Sequence, residues 1–241
     1  MNDMPSDRNT WINHNFLLAT LPSLTIESYH QYKHFNDASE HHIGRYLNWK
    51  TVAGAVSDEG INGDIVEFGT WQGLGLLMMA QCFESTTTPR KFIGIDSFEG
   101  LPESSNGWTK GTFNDTSVNL TKNNIQELFP KNPNLSCDLI QGWFNDPRVS
   151  EELYKQVITP AIIHFDADLG SSTFQALTII EPYLIGRSDP IYFLFDDWGI
   201  HPAEVPVAWN EWMSIAEEKY NLSAEEISNT VYTRNFRITF N

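Results

Sequence analysis

Five short apolar runs recur along the chain, and a helix-patterned segment follows each one. The runs are DIVEFG (64–69), KFIGIDSF (91–98), LSCDLIQGWF (135–144), PAIIHFDAD (160–168) and IYFLFDDW (191–198). Between and after them, LGLLMMAQCF (74–83), SVNLTKNNIQELF (117–129), SEELYKQV (150–157), SSTFQALTIIEPYL (171–184) and PVAWNEWMSIAEEKY (206–220) read as helices. Strands alternating with helices imply right-handed βαβ units and a parallel sheet. Runs such as IVEF, AIIHF and YFLF are apolar without alternation, as strands covered on both faces are. The expectation is one doubly wound α/β domain, closed by one or two strands in VYTRNFRITF (231–240).

Ahead of the alternation, residues 1–40 are polar and aromatic with weak periodicity. Residues 41–59 place Ile43, Tyr46, Leu47, Val52 and Val56 roughly on one helix face, and Gly60 and Gly63 punctuate the end. The division expected is a helical N-terminal extension or lid at 1–59 and the main domain at 60–241. The longest irregular stretch is PESSNGWTKGTFNDTS (102–117), which directly follows a strand's carboxyl end. It reads as a surface loop or as a lid over a site.

Charge narrows the partners. The chain carries 31 acidic and 15 basic side chains, a net charge of −16. A phosphate backbone or an anionic membrane surface would be repelled, so neither nucleic acid nor membrane is an expected partner. The acidity suits solubility or a cationic ligand. Cys82 and Cys137 show no CxxC spacing, and the first residues lack a signal pattern, so a reduced cytoplasmic protein is expected. The aromatic N-terminal extension leaves a homodimer open.

In open parallel sheets, ligands bind outside the carboxyl ends of the strands. The first such end is EFGTWQGLG, Glu67–Gly75. Gly69 ends a strand and Gly73 opens a helix, which lets a ligand approach the backbone. The dinucleotide fingerprint is absent, because position 71 is Trp. Glu67 disfavours phosphates there and suits an ammonium or sulfonium group. Asp96, at the second strand end, is placed to accept from ribose hydroxyls. Tight packing and a surface Asp would explain the same residues without a ligand.

The fourth and fifth runs end in aspartates: Asp166 and Asp168 in HFDADLG, Asp196 and Asp197 in FLFDDWG. Neighbouring strands would bring four carboxylates together, and these repel unless a cation or proton intervenes. A hard divalent ion is the natural partner, Mg²⁺ first, Mn²⁺ or Ca²⁺ as alternatives. His164 reads as a core residue or one behind the ligands. D-x-D also occurs in metal-dependent glycosyltransferases that use nucleotide sugars, which remains the alternative reading. An acid-rich rim with no ligand is the plain one. Trp11, Trp49, Trp108 and Trp198 are candidates to line a pocket, with Trp49 better placed in the core.

Taken together, GDIVEFGTWQG, FIGIDSFEGLPE, LIQGWF followed by Asp146, IIHFDADLGSST and FLFDDWG resemble the macrocin O-methyltransferase family of S-adenosylmethionine-dependent enzymes, over about residues 60–215. The resemblance implies a Rossmann-like seven-stranded, mostly parallel sheet with the last strand antiparallel. It implies S-adenosylmethionine bound along Glu67, Gly69, Thr70, Trp71 and Gly73, with Asp96 and Ser97 at the ribose. Gly142, Trp143 and Phe144 would flank the adenine, and Asp166 would border the cofactor. By the same match Asp166, Asp196 and Asp197 are Mg²⁺ ligands and Asp168 is the general base acting on a small-molecule hydroxyl acceptor, a sugar or related group. Two places depart from the family pattern: Gly170 and Ser171 stand where Tyr and Glu are usual, and Trp198 stands where Tyr is usual. Both border the expected acceptor pocket. A non-catalytic S-adenosylmethionine-binding protein of the same fold is the third possibility.

Overall fold

A computed structural model describes residues 37–105, 107–200 and 202–241, with side chains from residue 41 onward. Of the N-terminal extension expected at 1–59, residues 1–36, including Trp11, lie outside the described residues. The described chain runs α1 (Asp37–Asp58), β1 (Asp64–Phe68), α2 (Leu74–Cys82), β2 (Arg90–Asp96), α3 (Val118–Leu128), β3 (Leu135–Gln141), α4 (Pro147–Gln156), β4 (Pro160–Phe165), α5 (Gly170–Ile180) with a 3₁₀ turn (Glu181–Leu184), β5 (Ile191–Phe195), α6 (Glu204–Tyr220), β6 (Leu222–Asn229) and β7 (Arg234–Phe240).

The seven strands form one sheet in the order β3-β2-β1-β4-β5-β7-β6. β1 to β5 pair in parallel, whereas β7 runs antiparallel to both β5 and β6. The order turns back between β1 and β4, and that switch point opens a crevice at the strands' carboxyl ends. This is the doubly wound, seven-stranded arrangement expected. β6 is the element that the apolar runs do not reveal. Its sequence, LSAEEISN, is mostly exposed at the sheet edge, so it carries no apolar run to read. It leaves α6 directly through Asn221, which takes the left-handed conformation that Asn tolerates.

Strand parity decides what each face receives. Ile65 of β1, Phe92 of β2, Ile162 of β4 and Tyr192 and Leu194 of β5 pack under α1 and α2, with Trp49, Val52 and Val56 fully buried among them. Val66, Phe68, Ile93, Ile95, Ile163, Phe165, Phe193 and Phe195 face the other way, under α4, α5 and α6. Because side chains alternate along a strand, His164 and Asp166 share the α1 side with Ile162, and Asp196 shares it with Leu194. α1 therefore lies over the strand ends that carry the aspartates. Its place in the same core cluster as β1 and α2 follows from the apolar face read at 41–59.

Both cysteines are free and half-buried. No helix among the described residues is long and apolar enough to cross a membrane.

Candidate active site

The turn after β1 is set by two glycines whose side-chain space is already taken. Gly69 has φ +90°, and a Cβ there would lie 1.7 Å from the backbone oxygen of Asp166. Asp166 N–H in turn donates to Phe68 O at 2.8 Å, so the ends of β1 and β4 are laced together. Thr70 is buried, and its carbonyl accepts from Gly73 N–H at 2.8 Å. Gly73 caps α2 at φ +92°. Between them Trp71 is held at φ +45°, a costly conformation for a bulky residue. Its indole donates to Asp115 Oδ1 at 2.9 Å, and its carbonyl accepts from Thr116 and Thr121.

Asp96 stands beside this turn. Its Oδ2 accepts from Trp71 N–H at 2.7 Å and its Oδ1 from Phe98 N–H at 2.6 Å. Burial pushes its carboxyl up, against the pull of those backbone donors. Each oxygen keeps a lone pair, so the carboxylate is fixed in place and can still accept from a ligand hydroxyl. Ser97 is buried and its hydroxyl accepts from Glu99 N–H. Gly142 N–H donates to Asp96 O, which brings the β3 end alongside. Trp143 and Phe144 follow half-buried, with the Phe144 ring edge-on to Phe68 at 5.3 Å. The expected cofactor residues thus line one continuous edge, with one exception in orientation. Glu67 points inward under α2. It is buried, bonded to His164 Nδ1 at 3.0 Å, and fills the space above Gly75, where a Cβ would meet its Oε1 at 1.9 Å. Burial, then the charge of Asp166, pushes its carboxyl well up. His164 is driven down to about 3, by burial and then by Arg45, and is neutral.

The four aspartates converge at the ends of β4 and β5. Asp168 and Asp197 both have φ +57°, so two non-glycine residues hold a strained backbone at adjacent strand ends. Asp196 is buried, whereas Asp166, Asp168 and Asp197 are half-buried. Burial, then neighbouring carboxylates, pushes Asp168 and Asp197 well up. Burial would also raise Asp196, but His41 and Arg45 outweigh it and hold that carboxyl far below the usual range. Asp166 is raised, by burial and by Asp196.

Two residues that sequence reasoning did not single out complete the cluster, and both come from α1. Arg45 Nη1 donates to Asp166 Oδ2 at 2.9 Å and, at closer range, to Asp196 Oδ2. His41 Nε2 pairs with Asp196 Oδ2 at 3.2 Å. A signal existed: His41, Arg45 and Trp49 are spaced four apart, so a charged residue shares the stripe of a core tryptophan.

One cation does not balance four carboxylates. Asp197 Oδ2 is buried with no hydrogen-bond partner among the described residues, and Asp196 Oδ1 is buried and accepts no hydrogen bond, although His41 Nε2 stands 3.1 Å from it. Unpartnered buried carboxylate oxygens in an oxygen-only donor set fit a hard divalent ion. Among the described residues, the one group of three that brings a ligand atom each within 4.8 Å of one another is Glu67, His164 and Asp166, of which Glu67 and His164 are buried and bonded together; Asp166, Asp196 and Asp197 are not gathered that closely.

Comparison with known proteins decides the family. The model of the macrocin-O-methyltransferase (TylF) family matches residues 41–232. The chain belongs to the macrocin-O-methyltransferase family. Its similarity to solved structures extends over nearly the whole length. The O-methyltransferase NovP is 19% identical with a TM-score of 0.64, over 95% of this chain and 98% of that one. CalS11, a TDP-rhamnose 3'-O-methyltransferase of calicheamicin biosynthesis, is 19% identical with a TM-score of 0.56, over 98% and 96%. The Podospora anserina methyltransferase PaMTH1, solved with S-adenosylhomocysteine bound, is 10% identical with a TM-score of 0.53, over 100% and 99%. At such identities these structures speak for the fold alone. No sequence among curated proteins matches significantly.

As a macrocin-O-methyltransferase relative the protein is an O-methyltransferase, and the glycosyltransferase alternative is set aside. The family match also gives meaning to the two departures. Gly170 N–H donates to Glu204 Oε2 at 3.0 Å, and a Cβ on Gly170 would lie 3.0 Å from Glu204 O. Ser105, from the loop after β2, donates to Glu204 Oε1 at 2.6 Å. Ser171 donates to Glu103 Oε1, also at 2.6 Å. So Ser171 meets the loop read as a surface loop or a lid directly, and Gly170 is joined to it only through Glu204, as the loop reaches from β2 to the N-termini of α5 and α6. Within it, Trp108 and Phe113 pack at 5.5 Å, and Phe113 meets Trp71 at 5.8 Å. Trp198 packs between Phe195 and Phe236 at 5.5 Å from each. Trp49 is a core residue, as its place on the helix face implied.

Proposed function

We propose that the protein transfers a methyl group from S-adenosylmethionine to a hydroxyl of a sugar or related small molecule, with a hard divalent ion, Mg²⁺ first, at the aspartate cluster. The observation that carries this reading is the juxtaposition of two prepared edges at one switch point: a carboxylate fixed by backbone donors, Asp96, and four converging aspartates. S-Adenosylhomocysteine in PaMTH1 and the sugar substrate of CalS11 are consistent with both halves.

Asp96 would accept from the ribose hydroxyls, with the Gly69–Gly73 turn against the methionine part and Gly142–Phe144 against the adenine. Asp166, Asp196 and Asp197 would hold the ion. Bound there, it supplies a Lewis acid that lowers the pKa of a nearby hydroxyl. Methyl transfer from a sulfonium is an in-line displacement, so the protein must fix the acceptor oxygen and remove its proton. Asp168 is the group for that proton. Burial, then the charge of Asp166 and Asp196, pushes its carboxyl up, and an ion held by those carboxylates would offset part of that push. The loop at 102–117, latched to Ser171 and Glu204, would close over the acceptor and exclude water.

Thermal-shift titration tests the cofactor: S-adenosylhomocysteine should stabilise the protein, with or without a nucleotide sugar present. Mass detection of methylated products across sugar, phenol and catechol acceptors tests the reaction. Stabilisation by the nucleotide sugar alone would overturn the reading.

A further inference from the structure

Arg45 carries a permanent charge into the interior, and the chemistry proposed for the site does not itself ask for a guanidinium. The residue is only 4% exposed. Its Nη1 reaches Oδ2 of both Asp166 and Asp196, side chains 121 and 151 residues away in sequence. Its Nη2 lies 3.3 Å from His42 Nδ1, and the guanidinium carbon sits 4.9 Å from the centre of the Trp49 ring. Trp49 in turn packs against His164 at 4.6 Å, and His164 is bonded to Glu67. The guanidinium is therefore wedged between a core ring and two carboxylates. Nη1 alone meets both carboxylates while Nη2 is turned to His42 and the guanidinium stands over the Trp49 ring, a combination that a lysine ammonium does not reproduce.

The bonds Arg45 makes are one-sided. It takes Oδ2 of each partner, while Oδ1 of Asp196 accepts no hydrogen bond and has only His41 Nε2 near it, at 3.1 Å, and Oδ2 of Asp197 stays buried and unpartnered among the described residues. A residue that ties down one oxygen of a carboxylate fixes the direction of the other.

We propose that Arg45 is a positioning residue for the divalent cation: by clamping Oδ2 of Asp166 and Asp196 from the α1 side, it turns their remaining oxygens, together with Asp197, toward one cation site. This rests on the reading of the aspartates as the metal site. It also gives α1 a role beyond packing, since the clamp is delivered by a helix that precedes the first strand.

Mn²⁺ binding to the full-length protein, measured by calorimetry and by the electron paramagnetic resonance of the bound ion, tests this without turnover. Arg45→Lys keeps the charge and removes the fork. It should weaken Mn²⁺ by about 10–100-fold, the usual cost of losing a partner of a metal-ligating group. The Mn²⁺ spectrum should broaden, and affinity for S-adenosylhomocysteine should fall far less than that for Mn²⁺, since Arg45 bonds Asp166 at the border of that edge and not Asp96 or the Gly69–Gly73 turn. Trp49→Phe leaves the guanidinium in place on a smaller ring and should lower Mn²⁺ affinity by a smaller factor; it serves should Arg45→Lys not fold. Wild-type affinity in the folded variant overturns the positioning role, and so does tighter binding, which would make Arg45 a competitor of the ion. If the wild-type protein itself binds no Mn²⁺, the metal reading falls and this role with it.

Discussion

At the scale of single residues, the site concentrates conformations and charges that a chain avoids elsewhere. Trp71, Phe98, Asp168 and Asp197 all have positive φ, and each stands just beyond the carboxyl end of β1, β2, β4 or β5. Such residues cost of order 1–3 kcal/mol each and persist where surrounding structure over-determines them. Asp168 adds a charge that burial and its neighbours disfavour. Asp168→Asn should therefore raise Tm by about 2 °C or more while abolishing methyl transfer and sparing S-adenosylhomocysteine binding. Scanning calorimetry and a single-turnover assay check the two halves; normal turnover would remove Asp168 as the base. Gly69 shows the opposite kind of constraint. Its φ of +90° and the 1.7 Å approach of Asp166 O leave no room for a methyl group. Gly69→Ala should cost about 3 kcal/mol in urea unfolding, because either β1 or β4 must shift.

Elements are joined at this edge by a few polar contacts, and these give separable effects. Glu204, at the start of α6, accepts from Gly170 of α5 and from Ser105 of the loop after β2. Glu204→Ala should free that loop. Trypsin cleavage at exposed Lys110 should accelerate and the acceptor KM should rise, with S-adenosylhomocysteine affinity unchanged. An unchanged cleavage rate would show that the loop is held by other means. At the far end of α1, Glu59 binds Arg237 of β7 at 3.0 Å and accepts from Tyr192 of β5 at 2.9 Å. The bond to Arg237, the largest influence, holds its carboxyl below the usual 4.5. A lowered folded-state value means stability that is present above that ordinary value and lost as pH falls through the lowered one. The wild type should thus lose more Tm than Glu59→Gln between pH 5 and about pH 3, with the gap narrowing in high salt. Most elements were legible beforehand because buried parallel strands are apolar throughout and the helices between them are bounded by glycine, proline and capping residues. β6 was not, because an edge strand with exposed glutamates buries too little to need an apolar pattern.

For the molecule as a whole, net charge and the acidic edge act in the same direction. A chain of charge −16 that gathers four aspartates at one end of its sheet repels itself there, and Arg45 supplies a single compensating charge. Any ion that binds only the folded state stabilises it by mass action, about 2.7 kcal/mol at a hundred times its Kd. Millimolar Mg²⁺ should therefore raise Tm beyond an NaCl control of equal ionic strength, and EDTA should abolish turnover until Mg²⁺ is restored. A shift equal to that of NaCl would reduce the effect to screening. The sequence by itself determined the alternation, the parallel sheet and the carboxyl-end positions of Asp96, Asp166, Asp168, Asp196 and Asp197, since each is written in local periodicity and in which residue ends each run; the family resemblance, and the seven strands it implied, rested on matched motifs. Tertiary structure alone decided that Glu67 turns inward to His164, that Arg45 and His41 reach the aspartates, and that Ser171 meets the loop while Gly170 meets Glu204. The reason is physical. Local pattern fixes which face of an element is buried, but which side chains meet across faces is set by packing between segments more than a hundred residues apart.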